Sequence, residues 1–298
     1  MTSQFDTISE IGERLKSYRI GKGLTPDDIA KKTGVSRAAI YRYESGQPIR
    51  VDVLGKIADL LEVSLTSLLG VGSEYISSAL TFFERMRQIE KTADQISVLF
   101  GPISYLLTTP EFDEYLGVVL HESVPEHAAN RSALEADINQ IIEVLADRKA
   151  TYLKRRPNIV SLVAASELEQ FLRYGFVGKL DASGELLKER RKIARIEVEN
   201  IIEQLRNPPI GVQIGVVVDS MPGSSFQVFR KGTDAQVAVS PFRLGAFPNI
   251  RIGVATITSA KEAVELHQIV TERLWKNSLK GQDAIGCLKG LLLTESTD

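Results

Sequence analysis

Two arginines and a tyrosine lie close together on one side of a short predicted helix near the start of the chain. Arg37, Tyr41 and Arg42 project outward beside the small Ala38 when this segment is drawn as an α-helix. Guanidinium groups carry a permanent positive charge and donate hydrogen bonds in a rigid fork. Such a surface suits a partner that presents phosphate groups and hydrogen-bond acceptors. The residues therefore predict that this helix binds a partner through charge and hydrogen bonds.

Two short helices joined by a tight turn, over residues 25–46, position these side chains. Thr25 is a good N-cap, and Pro26 stands at the first helical position, where its missing N–H costs nothing. Gly34 ends the first helix and Ser36 caps the second. The apolar side of the second helix is predicted to face inward and comprises Ala39, Ile40 and Tyr43. This arrangement predicts a helix-turn-helix whose partner is the major groove of double-stranded DNA.

Three further helices are predicted to complete an N-terminal DNA-binding domain, which we assign to residues 1–70. Apolar residues recur at helical spacing over residues 7–21, ahead of the motif, and over residues 53–61, after it. A last short helix over residues 65–69 ends at Gly70. The first part of the chain is therefore expected to be an all-α domain of five helices.

This N-terminal sequence resembles the Cro/CI-type DNA-binding domains of phage repressors and of the bacterial Xre family, over about a fifth of the chain. The matching residues are Leu15-Lys-Ser-Tyr-Arg19, Gly23-Leu-Thr25, Ile29-Ala30, Gly34-Val-Ser36, Ile40 and Glu44-Ser-Gly46. The resemblance implies a largely buried ion pair between Arg19 and Glu44 that ties the first helix to the third. Loss of one partner would cost several kcal/mol, because the other charge would be stranded.

The resemblance also implies which residues contact DNA. Arg37, Ala38 and Arg42 match the family's base-reading positions, with Arg37 suited to a bidentate contact with guanine and Ala38 to a thymine methyl group. Tyr41 matches a position that contacts phosphate or a base. The positions that usually bind phosphate are occupied by Thr25, Ser36, Gln47 and Arg50.

One position departs from the family, because Pro26 stands where many relatives carry a glutamine that contacts DNA. That contact is expected to be absent, which places more weight on Arg37 and Arg42. The alternative interpretation of the same residues is a set of solvated charges on a helical bundle.

The composition limits the other partners. The chain of 298 residues has 36 basic and 38 acidic residues, so DNA contact must be local. Residues 1–50 carry nine Lys or Arg against six Asp or Glu, a local charge of +3. The polar N-terminus and the absence of a long apolar run predict a cytoplasmic protein without a membrane partner. A single Cys287 and three histidines favour neither a metal site nor a cofactor.

We assign residues 71–156 to a helical linker and dimerisation region. A single helix is predicted over residues 74–100, because apolar residues there recur at spacings of three and four. This stripe is either a seam between two copies or packing within its own domain. A dimer is expected on separate grounds, since one such domain makes few contacts and two half-sites lie about 34 Å apart.

The remaining residues, 157–298, are predicted to form a mixed α/β (α+β) sensor domain. Short β-branched runs alternate with helical patterns, and the first run covers residues 158–164. The order also resembles the actinobacterial WhiJ-type regulators, whose C-terminal domain is often paired with a small neighbouring protein. The stretches that carry this resemblance are Tyr105-Leu-Leu-Thr-Thr-Pro-Glu-Phe, Arg148-Lys-Ala-Thr-Tyr-Leu-Lys-Arg-Arg-Pro, Ala165-Ser-Glu-Leu and Gly211-Val-Gln-Ile-Gly-Val-Val-Val.

A candidate ligand site follows the strand predicted over residues 212–219. A loop rich in serine and glycine at the carboxyl end of a strand can present N–H and hydroxyl groups to an anion. The candidate residues are Asp219, Ser220, Ser224, Ser225, Arg243 and Arg251, with Tyr174 and Trp275 as candidate pocket walls. The alternative is an ordinary turn with arginines in surface pairs.

Three functions are compatible with these patterns. We expect a dimeric transcriptional regulator, with repression or activation both open, whose C-terminal domain responds to a small molecule or a small protein. An antitoxin-like protein that binds a neighbouring polypeptide and regulates its own synthesis is the second. A DNA-tethered enzyme is the third and is not favoured, because the GxGxxG, GxxxxGK[ST], GxSxG and HExxH patterns are absent from the sequence.

Overall fold

The computed structural model describes residues 4–99, 101–219 and 221–294. The chain begins with five helices, as predicted, and the all-α N-terminal domain is confirmed. Their bounds are α1 Gln4–Gly21, α2 Pro26–Thr33, α3 Arg37–Glu44, α4 Val51–Leu61 and α5 Leu65–Leu69.

Local chemistry accounts for the turn between α2 and α3. Thr25 caps α2 through a reciprocal capping box with Asp28, and the Ser36 hydroxyl accepts a hydrogen bond from the backbone N–H of Ala39. Gly34 ends α2 with φ of 76°, a left-handed conformation that glycine adopts without a steric cost. Ile29 and Ile40 are fully buried where the two helices meet.

The rest of the chain alternates strands and helices. The strands are β1 Ser73–Ile76, β2 Gln95–Leu99, β3 Asn158–Ala164, β4 Val212–Val217, β5 Ser225–Lys231, β6 Asp234–Ser240 and β7 Ala255–Thr258. The helices are α6 Ala79–Glu90, α7 Pro110–Glu122, α8 Arg131–Arg155, α9 Ala165–Tyr174, α10 Gly184–Arg206, α11 Lys261–Asn277 and α12 Gly281–Thr294. Among the described helices, none combines the length and apolar character that a membrane crossing requires.

The seven strands found among the described residues form one sheet in the order β1-β7-β6-β5-β2-β3-β4. β2, β3 and β4 run parallel to one another, whereas the other neighbouring pairs are antiparallel. The predicted mixed sheet with flanking helices is therefore confirmed.

The single helix predicted over residues 74–100 is wrong. The segment forms β1, α6 and β2, with the Ser78 hydroxyl capping α6. Apolar residues continue at spacings of three and four through β1 and β2 by coincidence. The sequence pattern therefore does not show where α6 begins and ends. Ile76, Met86 and Ile96 are buried inside the chain's own core, and this stripe is therefore not a seam open to a second copy.

The assignment of residues 71–156 to a separate helical linker also needs correction. β2 lies in the middle of the sheet, between β5 and β3, and both of those strands come from residues 157–298. A boundary at residue 156 would therefore divide one continuous sheet. Residues 71–156 supply part of the α+β region and do not act only as a linker.

The two faces of the sheet are covered unequally. One face packs in a large apolar core with helices α6, α8, α9, α10 and α12. The other face carries a small cluster that includes Leu99, Leu162 and Phe226, and it is covered by α11, which contacts β4, β5 and β6. One helix about 10 Å wide cannot cover seven strands spaced about 4.8 Å apart.

Candidate functional site

The predicted recognition surface lies on the outer side of α3. Arg37, Ala38, Tyr41 and Arg42 are exposed, whereas Ala39 and Ile40 are buried beneath them. The predicted orientation of this helix is therefore confirmed. The side chains predicted to read bases are all accessible from one side, and each is free of the apolar core.

Arg37 and Tyr41 form a pair along the surface of α3. The Arg37 guanidinium carbon lies 5.5 Å from the centre of the Tyr41 ring, and its Nη2 donates to the Tyr41 hydroxyl at 3.2 Å. This hydrogen bond, with a smaller contribution from Asp27, raises the pKa of Arg37 above its usual value. The contact restricts a long side chain before any partner arrives, which reduces the entropy lost on binding.

A buried ion pair holds α3 against α1, as the family resemblance implied. Arg19 Nη2 donates to Glu44 Oε2 at 3.0 Å, and the two side chains are 10% and 6% exposed. Arg19 Nη1 also donates to the Leu24 carbonyl oxygen at 2.8 Å. The predicted structural role of this pair is confirmed, and it fixes the orientation of the recognition helix.

The four predicted phosphate-binding residues are all exposed, but they differ in their local contacts. The Thr25 hydroxyl donates to Asp28 Oδ2 at 2.6 Å, so in this structure it is engaged within the capping box. Arg50 forms two hydrogen bonds with Asp52, at 3.0 and 3.1 Å. The Ser36 oxygen caps α3, and Gln47 follows α3 in the loop. The Ser36 oxygen only accepts in its cap, so its O–H can still donate to a phosphate, whereas the Thr25 hydroxyl already donates to Asp28. Ser36 and Gln47 therefore have the greater freedom to contact a phosphate.

Buried charges join the helix-turn-helix domain to the sheet. Glu74 on β1 accepts hydrogen bonds from Arg14 of α1 at 2.9 Å and from Arg85 of α6 at 2.8 and 2.9 Å. The two arginines hold the pKa of the Glu74 carboxyl below its usual value despite the burial. Gln88 of α6 adds a hydrogen bond to the Glu13 carbonyl oxygen at 3.0 Å. The DNA-reading domain is thus attached to the sheet through several specific contacts.

A crevice lies at the edge of the sheet where the parallel strands β2, β3 and β4 end. A cleft of about 460 Å³ is lined by three of the predicted ligand-binding residues, Ser224, Ser225 and Arg243. A smaller cavity of about 80 Å³, lined by Glu167 and Tyr174, meets the cleft, because Arg243 and Phe247 line both. The carboxyl edge of parallel strands is the usual place for ligands in such sheets.

The other predicted ligand-site residues lie elsewhere. Asp219 and Arg251 are exposed but line neither the cleft nor the smaller cavity, and Ser220 lies outside the described residues. Trp275 lines a separate cavity of about 150 Å³ beneath α11. Of the two candidate pocket walls, the structure therefore brings Tyr174, and not Trp275, to Arg243.

Several residues that line this crevice were not predicted from the sequence, among them Glu167, Phe247 and Asn249. Glu167 lies in the first turn of α9, directly after β3, and that position is a signal for the carboxyl edge of the sheet. Asn249 and Phe247 come from the long loop between β6 and β7, which has no periodicity to place it. Phe247 has φ of 52°, an uncommon value for a bulky residue, and its ring packs edge-on against Tyr174 at 5.5 Å.

Comparison with known proteins supports the first of these two sites. Residues 15–68 match the family model described as helix-turn-helix. The match covers α3 and the residues that hold it, from Leu15 to Leu68. The helix-turn-helix recognised in the sequence is therefore confirmed.

The remaining comparisons add little. No curated protein matches the chain. One similar solved structure is that of TrmBL2, an archaeal chromatin protein described as showing a novel mode of DNA binding; it is 12% identical, with 93% of this chain and 100% of that chain covered. The TM-score is 0.34, too low to establish a shared fold, so nothing about this chain follows from it.

Proposed function

We propose that this protein is a sequence-specific transcriptional regulator that binds an inverted repeat in DNA as a dimer. The observation that carries the proposal is the exposed surface of α3, where Arg37, Tyr41 and Arg42 project from a helix that Arg19 and Glu44 hold in place. The helix-turn-helix match over residues 15–68 supports DNA binding. Two copies are needed because a single helix in one major groove makes few base contacts.

Substitution of the base-reading arginines tests the proposal. Sites are first selected from random duplex DNA with the full-length protein, and affinities for the selected site are then measured by electrophoretic mobility shift. We expect Arg37→Ala and Arg42→Ala each to weaken specific binding about 10- to 100-fold, since one bidentate base contact contributes about 1–3 kcal/mol. Binding to unrelated DNA should change much less.

Arg206→Ala is the matched control, because it removes the same charge from an exposed position at the end of α10. It should leave the affinity unchanged. Equal affinity for the selected site in wild type, Arg37→Ala and Arg42→Ala would contradict the assignment of α3 as the reading surface.

We further propose that the crevice at the carboxyl edge of the sheet binds a small organic anion that regulates DNA binding. Arg243 supplies a positive charge, Ser224 a hydroxyl group, and Tyr174 with Phe247 an aromatic wall. The buried contacts of Glu74 with Arg14 and Arg85 provide a physical connection from the sheet to the reading domain. Couplings of about 1–3 kcal/mol would change the occupancy of DNA about 5- to 150-fold.

A screen of carboxylate and phosphate metabolites by thermal shift tests this second part. We expect at least one class to raise the unfolding temperature of the wild type and to change its affinity for the selected DNA. Arg243→Gln should lose the thermal shift and keep the DNA affinity of the unliganded protein. Arg251→Gln is the control, because it changes an arginine outside the crevice. It should show the same ligand-induced thermal shift as the wild type. A ligand response that survives Arg243→Gln would contradict this site.

A further inference from the structure

The outer surface of α11 carries a short apolar stripe with a charge at each end. Leu266 and Ile269 are 55% and 59% exposed, although both are large aliphatic residues. Glu262 lies one turn before Leu266, and Arg273 lies one turn after Ile269. These four residues follow the spacing i, i+4, i+7 and i+11, so they form a single line along the helix.

The opposite side of α11 is the one that packs on the sheet. Val264 and Thr271 are buried there, and His267 packs edge-on against Phe226 of β5 with ring centres 4.9 Å apart. α11 is thus an amphipathic helix with a second apolar stripe on its solvent side. Within the described part of the chain, neither Glu262 nor Arg273 forms an ion pair.

We propose that this stripe is the surface through which two copies of the protein pair, with the two α11 helices antiparallel. The order Glu262, Leu266, Ile269 and Arg273 is complementary to its own reverse. An antiparallel pair centred between His267 and Gln268 places Leu266 against the partner's Ile269 and Glu262 against the partner's Arg273. A two-fold axis repeats each contact, so the interface contains two apolar contacts with one ion pair at each end.

Charge complementarity identifies the occupant as a second copy. A parallel arrangement would place Glu262 against the partner's Glu262 and Arg273 against the partner's Arg273, and like charges in contact are unfavourable. The antiparallel arrangement removes both repulsions. A two-fold axis perpendicular to the helices generates this antiparallel pair and closes the dimer.

The size of the surface sets the strength that we expect. α11 has 17 residues and is therefore about 25 Å long. A pair of such helices buries less than the about 1,200–2,000 Å² of stable complexes, so the free dimer is weak and forms in the micromolar range. DNA with two half-sites would strengthen it, because binding of the first copy raises the effective concentration of the second.

This inference rests on the proposed dimeric function, and reversal of the two charges tests it separately. Glu262→Arg and Arg273→Glu are prepared singly and together, and the dimer dissociation constant is measured by sedimentation velocity over a range of concentrations. Each single variant places two like-charged pairs at the interface and should raise the dissociation constant about 10- to 100-fold. The double variant restores both ion pairs in reversed order and should dimerise like the wild type.

Mixing the two single variants gives the sharpest result. One Glu262→Arg copy and one Arg273→Glu copy form two opposite-charge pairs, so the mixture should dimerise at concentrations where each component alone is mostly monomeric. Glu203→Arg and Arg206→Glu reverse an exposed pair on α10 and serve as controls that should not affect dimerisation. Recovery in the mixture also excludes misfolding as the cause of the loss.

The possible outcomes distinguish a failure of the α11 interface from a failure of the proposed dimeric function. If all variants dimerise equally, or if wild type, singles and mixture all remain monomeric, the α11 surface is contradicted. Binding of two copies to the selected inverted repeat would then still support the dimeric regulator. A stoichiometric small protein that protects α11 from hydrogen exchange in the purified complex would overturn self-pairing in favour of a different partner.

Discussion

Single residues in this protein show how burial changes the behaviour of a charged group. Arg19 and Glu44 are buried as a pair, and two parallel hydrogen bonds between their side chains replace the lost hydration. Glu197 on α10 is fully buried under a different arrangement. It accepts hydrogen bonds from the Thr109 backbone N–H at 3.1 Å and from the Thr109 hydroxyl. Burial nevertheless raises the pKa of Glu197 to about 7.

The raised pKa predicts a pH-dependent contribution to stability. The folded value of about 7 lies above the ordinary value of 4.5, so the stabilising contribution is complete below pH 4.5 and is lost as the pH rises towards 7. The loss amounts to about 3 kcal/mol, because one pKa unit corresponds to about 1.4 kcal/mol. Denaturant titrations at several pH values should show this decrease in the difference between wild type and Glu197→Gln.

Glu197→Gln is the suitable comparison because glutamine keeps the oxygen that accepts from Thr109 but cannot ionise. The control variant Glu203→Gln removes an exposed carboxyl group from the same helix and should leave the pH dependence of the wild type intact. Parallel stability curves for wild type and Glu197→Gln between pH 4.5 and 7 would contradict the raised pKa.

At the scale of elements, α6 shows why a periodic pattern can mislead. Its apolar residues repeat as in a surface helix, a pattern that usually leaves the charged residues between them in solvent. In the structure Glu84, Arg85 and Glu90 are buried, and each has a partner. Arg148 of α8 donates to both oxygens of Glu90, at 2.9 and 2.7 Å. Glu84 pairs with Arg87 one turn away, but the partners of Arg85 and Glu90 lie 11 and 58 residues away, and local spacing contains no information about those two.

The helix α11 shows the opposite case. Its aliphatic residues recur at helical spacing, so the sequence indicates the helix itself. The sequence could not separate the residues that pack on the sheet from those that remain exposed, since Val264, Leu266, Ile269 and Leu274 are all aliphatic. Only the position of the sheet decides which of the two sides is covered.

At the scale of the whole molecule, one sheet unites segments that the sequence suggested were separate. β2 contacts β5 along one edge and β3 along the other, and β1 pairs with β7 at the edge of the sheet. Residues 71–156 and 157–298 therefore fold together. The helix-turn-helix domain joins this unit through α1, which packs against α6.

This arrangement predicts how fragments behave. A fragment of residues 72–298 retains strands β1 to β7 and should unfold in a cooperative thermal transition, with lower stability than the full chain because the Arg14 contact to Glu74 is lost. A fragment of residues 157–298 lacks the central strand β2 and should not fold cooperatively. Circular dichroism with thermal scans distinguishes the two, and a cooperative transition in the shorter fragment would contradict the single sheet.

The sequence alone was sufficient for the helix-turn-helix, the exposed side of α3 and the strand over residues 158–164, and the family resemblance added the ion pair of Arg19 with Glu44. The helices, their turn and the strand depend on caps, on glycines with left-handed conformations and on periodicity, all of which act over a few residues, whereas the ion pair joins residues 25 apart. It also placed Ser224, Ser225 and Arg243 in one candidate site, since they follow or precede predicted strands.

Only the tertiary structure decided that β1 and β2 are strands of the common sheet, that Glu167 and Phe247 join Arg243, and that Leu266 and Ile269 remain exposed. Each of these depends on contacts between residues far apart in the chain. The free energy of such contacts comes from apolar burial and from the pairing of strands. Both depend on which distant segment packs at the position, and not on the residues next to it in the sequence.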